Sequence, residues 1–163
     1  MNELKAGALL VGVISLLAGC VSTYTAPQGS QTVSVEYLNS GSTPVLYFDV
    51  FEDPKICGKR RPVKPDAAGR YAFRYPANAD LSFRIMYSQV RSPTVTMCDM
   101  YVTFAAESGY DFQIQSTDSE KACYVRVMKT GASGAATEVN VRMRRSTANM
   151  LGDMAKSWCE PEA

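Results

Sequence analysis

Apolar side chains recur at every second position in short runs along most of this chain, and that spacing rules out a mainly helical body. In GRYAFRY, Tyr71, Phe73 and Tyr75 alternate with Arg70 and Arg74, and in LSFRIMY the set Leu81, Phe83, Ile85 and Tyr87 opposes Arg84. A period of two places alternate residues on opposite faces of an extended strand, whereas a helix needs a period near 3.6. The same alternation puts Val33, Val35 and Tyr37 on one face of TVSVEYL, and Cys98, Met100, Val102 and Phe104 on one face of VTMCDMYVTF. It continues with Tyr110, Phe112 and Ile114 in YDFQIQ, with Cys123, Val125 and Val127 in CYVRVM, and into EVNVRM. PVLYFDVFE is apolar almost throughout, as expected of a strand buried on both faces or crossing a sandwich. Eight such segments separated by Pro, Gly, Asn, Asp and Ser clusters imply an all-β, antiparallel β-sandwich of Ig-like or transthyretin-like kind.

One segment near the end departs from that period. In TANMLGDMAKSW the residues Met150, Leu151, Met154 and Trp158 fall at helical spacing, with Ser146 or Thr147 available as an N-cap. A short C-terminal helix docked on the sandwich is expected there.

The first 31 residues follow other rules. Met1 to Lys5 carries one lysine, and Ala6 to Ala18 is apolar apart from two glycines and Ser15. That run falls short of the roughly 20 apolar residues that span a bilayer and reads as a signal peptide, residues 1–19. Residues 20–31 are rich in Ser, Thr, Gln, Pro and Gly and read as a flexible tether to a domain covering 32–163. The block Leu17-Ala18-Gly19-Cys20 resembles the lipobox of bacterial lipoproteins. The resemblance implies cleavage after Gly19, a diacylglycerol thioether and a palmitate-type acyl chain at Cys20, and hence a partner in the lipid bilayer. Val21 and Ser22 follow where aspartate would signal inner-membrane retention, so the implied location is the periplasmic side of the outer membrane.

Setting Cys20 aside leaves Cys57, Cys98, Cys123 and Cys159 of the five cysteines, an even number suited to disulfides in an oxidising space. If the strands near 95–104, 109–115 and 121–128 form a meander, Cys98 and Cys123 lie two strand spacings apart. That is roughly 9.6 Å, beyond the roughly 7 Å limit for bridged Cα atoms. Cys57–Cys98 and Cys123–Cys159 are the pairs this reading favours, the second stapling the expected helix to the core.

The chain has no histidine, which removes the usual base of serine and cysteine nucleophiles and the commonest zinc and haem ligand. No metal, no cofactor and no catalytic residue is expected. With 17 basic and 16 acidic residues the formal charge is +1, so no global field draws in nucleic acid. Basic residues are instead local: Lys55, Lys59, Arg60, Arg61 and Lys64 between Pro54 and Pro65, read as a loop, and a second group of Arg142, Arg144 and Arg145. The first group suits an anionic partner, either another envelope protein or an anionic glycolipid, Arg by bidentate contacts and Lys as a point charge. A solvated loop is the plainer alternative. Asp49, on the strand face shared by Val45, Tyr47 and Phe51, is the carboxylate expected to titrate above its ordinary range, as a hydrogen-bonded structural residue rather than a general acid.

From 70 to 127 the chain is similar to small outer-membrane lipoproteins of no assigned activity, in which a cysteine-bearing strand leads into F-x-x-E-x-G-Y, here Phe104, Glu107, Gly109 and Tyr110. The layout is also similar to the β-sandwich lipoprotein of the type VI secretion system, without its early Asn-Pro stretch. Ser108-Gly109-Tyr110 resembles a loop of periplasmic lysozyme-inhibitor lipoproteins. The expected function is a non-enzymatic binding or structural module of the envelope. The alternatives are a periplasmic inhibitor or small-ligand binder and a secretion-system accessory.

Overall fold

The computed structural model describes residues 22–39, 44–91, 94–118, 123–147 and 158–160, and these are all strand, turn or extended chain. Ten strands run in the order β1 (Thr32–Asn39), β2 (Val45–Asp53), β3 (Gly58–Pro62), β4 (Tyr71–Pro76), β5 (Ala79–Arg91), β6 (Thr94–Ala106), β7 (Asp111–Asp118), β8 (Cys123–Thr130), β9 (Ala136–Val139) and β10 (Arg142–Arg144). They form two five-stranded sheets, ordered β4-β1-β7-β8-β9 and β10-β6-β5-β2-β3. Every pairing is antiparallel except β1 with β7, which run parallel with Val35 beside Phe112 and Tyr37 beside Ile114.

The sheets face each other across one apolar core. β1 shows why: its burial alternates residue by residue, with Val33, Val35 and Tyr37 inside. Phe48 and Val50 of β2, Leu81, Phe83 and Ile85 of β5, Met100, Val102 and Phe104 of β6, Phe112 and Ile114 of β7 and Val127 of β8 complete the interior. Tyr37 of the first sheet stacks on Phe48 of the second with ring centroids 5.0 Å apart. Burying one such aromatic or aliphatic side chain stabilises the fold by roughly 1.5–3 kcal/mol. The buried Tyr37 hydroxyl shares a hydrogen bond with Ser116 Oγ.

The outer face of the second sheet is covered as well. Phe48–Phe51, Leu81–Ile85 and Met100–Phe104 are buried without alternation, so the middle of β2, β5 and β6 is enclosed on both faces. A second cluster of Phe51, Cys57, Tyr101 and Cys159, with Trp158 against it, forms this thin third layer. The C-terminal strap Trp158–Glu160 makes it. Cys159 bridges to Ser146 just beyond β10, and the Trp158 amide donates to Ile56 O in the β2–β3 turn at 3.1 Å.

Two sequence expectations are corrected here. The expected C-terminal helix falls on residues 148–157, outside the described residues, which contain no helix; at its two ends Ser146 bridges to Cys159 beside Trp158. The basic segment read as a loop contains β3, an edge strand paired with β2. EVNVRM splits between the sheets, Ala136–Val139 pairing with β8 and Arg142–Arg144 with β6.

The favoured disulfide pairs are also overturned: the bonds are Cys57–Cys159, with Cα atoms 5.4 Å apart, and Cys98–Cys123, at 5.8 Å. The meander assumed for β6, β7 and β8 does not form, because the turn after Ala106 carries the chain from one sheet to the other. Cys98 and Cys123 therefore face each other across the core, and their bond ties sheet to sheet.

The Cys57–Cys159 bond spans 102 residues and Cys98–Cys123 spans 25. On the chain-entropy model these closures stabilise by about 4.7 and about 3.5 kcal/mol. Peptide mapping without reduction is expected to return these two pairs. The Cys57→Ala/Cys159→Ala protein is expected to lose about 2–5 kcal/mol in urea unfolding. Because Trp158 is the only tryptophan, its emission should shift to the red in that variant as the strap lifts. An unshifted spectrum would mean the strap does not depend on the bond.

Candidate functional site

The outer face of the second sheet carries a row of groups that strand alternation alone would leave in water. Register sets Asp49 of β2 beside Arg84 of β5, and Arg84 beside Tyr101 of β6. Arg84 is 8 % exposed and Asp49 2 %. Asp99, on the next row of β6, takes the guanidinium in a fork, from Nε at 2.7 Å and from Nη2 at 3.0 Å. Bidentate pairing of this kind is the strong form of the Arg–carboxylate contact. The guanidinium also lies 5.6 Å from the centroids of Tyr101 and Trp158 and 5.7 Å from Tyr47.

Asp49 is less well served. Its Oδ2 lies 3.8 Å from Arg84 Nη1 and has no hydrogen-bond partner. Burial pushes its carboxyl above the ordinary aspartate range, with Arg60 and Arg84 pulling the other way. For Arg84, burial works against the charge, but the Asp99 hydrogen bonds more than offset it and the guanidinium titrates above its usual value. The expectation of a raised Asp49 pKa thus meets a buried carboxylate, one oxygen of which lacks the expected hydrogen bond, beside an arginine opposite the apolar face of its strand.

Around this centre the basic residues fall into two kinds. Arg60 of β3 lies over the Trp158 ring at 4.6 Å, and Arg61 pairs with Glu52 at 2.8 Å. Arg144 is a brace: it donates to Pro54 O at 3.2 Å, Lys55 O at 2.8 Å and Thr103 Oγ1 at 3.3 Å, and to Glu160 O. Arg142 pairs with Asp80 at 3.0 Å. Lys55, Lys59 and Lys64 extend from the β2–β3 turn, from β3 and from just beyond it, and all three are exposed. Residues 54–65 contain no acidic side chain. Cys57 and Lys59 hold positive φ, 50° and 53°, on either side of Gly58, a conformation that costs of order 1–3 kcal/mol for a non-glycine residue. The disulfide at Cys57 and the Arg144 brace hold this turn in place.

The two basic groups, distant in sequence, meet at Pro54 and Lys55, which spacing alone does not show. Of the other expected site residues, Cys57 and Cys159 lie in this layer, Cys98 and Cys123 in the sandwich interior, and Cys20 outside the described residues. Where Tyr24 packs between β3 and the end of β4, Tyr24, Thr25, Pro27, Glu52, Tyr75 and Pro76 line a cleft of about 340 Å³. Tyr24 Oη is buried there without a hydrogen-bond partner, and burial, with Glu52 nearby, pushes the phenol up to about 12.

No family model, curated protein or solved structure matches this chain.

The geometry separates the arginines by consequence. Arg84→Met leaves the buried Asp49 without its neighbouring guanidinium and is expected to destabilise by about 3–5 kcal/mol in urea unfolding, whereas Arg61→Met, at a partly exposed pair, should cost about 0–1 kcal/mol. Asp49 binds its proton more tightly folded than unfolded, so its contribution to stability falls as pH rises above about 4. Asp49→Asn should remove that part, giving a smaller loss of melting temperature between about pH 4 and about pH 7 than in the wild type. Parallel curves for the two proteins would contradict the assignment.

Proposed function

We propose that this chain is a non-enzymatic, lipid-anchored module of the bacterial envelope, held by acylated Cys20 on the periplasmic side of the outer membrane and engaging an anionic partner through the basic β3 edge. One observation carries the reading: Lys55 and Lys59 are set on a turn and edge strand, with Lys64 just beyond it, fixed by the Cys57–Cys159 bond, the Arg144 brace and the Trp158 contact of Arg60. Cations on an edge strand also deter strand addition, but that role needs no such frame. The Leu17-Ala18-Gly19-Cys20 box supports the anchor, and two cysteine pairs at bonding distance fit an oxidising compartment. The two facing sheets fit an Ig-like or transthyretin-like sandwich.

Metabolic labelling with an alkyne palmitate analogue is expected to mark the wild-type chain and not Cys20→Ser, and the marked chain should fractionate with outer membrane. An unmarked wild-type chain in the soluble fraction would remove the anchor.

A second reading, a small-ligand binder, is favoured by the cleft at Tyr24, whose size falls within the range of ligand sites. A ligand of that cleft should raise the melting temperature of the wild type more than that of Tyr24→Phe. A flat result across a small-ligand panel would remove this reading.

A further inference from the structure

The segment leading out of the domain toward Cys20 is not free of it. Arg61 Nη1 donates to Ser22 Oγ, and the Tyr24 amide donates to Pro62 O at 3.0 Å. The Tyr24 ring packs edge-on against Phe73, 5.6 Å between centroids, and stacks on Tyr75 at 6.0 Å. Ser22 stands two residues after the acylated Cys20 of the anchor reading in the chain, and two residues of extended chain reach roughly 7 Å. The sequence reading of 20–31 as a spacer places the domain away from the bilayer; the docked Ser22 and Tyr24 place the edge of the second sheet beside the anchor.

The charged side chains of residues 54–65 are all basic. Lys55 and Lys59 lie on one side of Arg61 along the turn and strand, Lys64 on the other, and all three lysines are exposed. The nearest acidic residues in sequence are spoken for, Glu52 by Arg61, Asp53 by the Lys55 amide at 3.2 Å and Asp66 by Arg70 at 2.9 Å. Resting on the anchor reading above, we propose that β3 lies at headgroup level and that Lys55, Lys59 and Lys64 bind the phosphates of anionic phospholipids in the leaflet that holds the Cys20 acyl chains. The lipid gives permanent attachment, and the lysines give orientation: they hold the β3 edge down and present the far edge of the sandwich to the periplasm. A single sheet edge thus combines the two signals, acyl chain and basic patch, that membrane association commonly pairs.

The lone tryptophan, Trp158, sits under Arg60 at this edge and reports on it without a label. The full acylated protein is reconstituted into phosphatidylcholine vesicles with and without phosphatidylglycerol, each containing a lipid that bears a nitroxide on its headgroup. Trp158 emission is expected to be quenched in the vesicles containing phosphatidylglycerol. Quenching should be relieved at about 1 M salt, where the screening length falls to about 3 Å. Each of Lys55→Gln, Lys59→Gln and Lys64→Gln should lower the ratio of docked to undocked protein about fivefold at low salt, with melting temperature unchanged because the lysines are exposed. Protein that floats with the vesicles but shows no quenching overturns the docked edge and leaves the anchor standing. Equal quenching in zwitterionic vesicles, or in the triple Gln variant, overturns the headgroup contacts. Protein that does not float at all overturns the anchor and this proposal with it.

Discussion

A buried guanidinium needs a counter-charge and a cover, and the outer layer of this protein supplies both to Arg84. Taking a cation out of water costs several kcal/mol even after the surroundings relax. Asp99 meets the charge with a fork of two hydrogen bonds, and the faces of Tyr47, Tyr101 and Trp158 surround the plane. Trp158 is held there by its neighbour, Cys159, whose bond to Cys57 ties the strap to the β2–β3 turn. The electrostatics of the sheet face therefore depend on a covalent bond that closes a loop of 102 residues. A reducing compartment would weaken both together.

The same bond accounts for the shape of the basic edge. β3 is short and lies at the margin of its sheet, paired only with β2. Left to backbone pairing, such a strand frays. Here the turn before it is covalently tied through Cys57, its carbonyls at Pro54 and Lys55 accept from Arg144, and Arg60 lies on Trp158. The arginines are spent on building the frame and the lysines are left at its surface. That division follows the chemistry of the two side chains: a planar fork suits several fixed acceptors at once, and a hydrated ammonium suits a diffuse anionic surface.

Which residues face inward was legible in the sequence, because in a strand the face is a local property. Val33, Val35, Tyr37, Phe83, Ile85, Val102 and Ile114 are all buried on the side that alternation assigns. Which strand lies beside which is not local, and there the reading failed. Period two is unchanged when the chain switches sheets, so neither the crossing after Ala106 nor the break at Asn140 and Val141 leaves a mark on the pattern, and the disulfide pairs inferred from a meander were wrong for that reason. β3 was missed because GKRRP has no apolar alternation; its partner β2 supplies the burial and it contributes backbone hydrogen bonds. The covered outer face did leave a trace. Phe51 and Tyr101 sit among Asp49, Arg84, Asp99 and Thr103, and aromatics on a nominally polar face imply that something covers them.

The claim on which all of this rests is that the strap bearing Trp158 lies against β3 and β5. Nuclear Overhauser contacts from the Trp158 indole protons decide it. Cross-peaks to the side chains of Arg60 and Arg84, with upfield ring-current shifts of their methylene protons, are expected from centroid distances of 4.6 and 5.6 Å. Indole resonances at solvent-exposed positions, without a cross-peak to either arginine, would contradict the account.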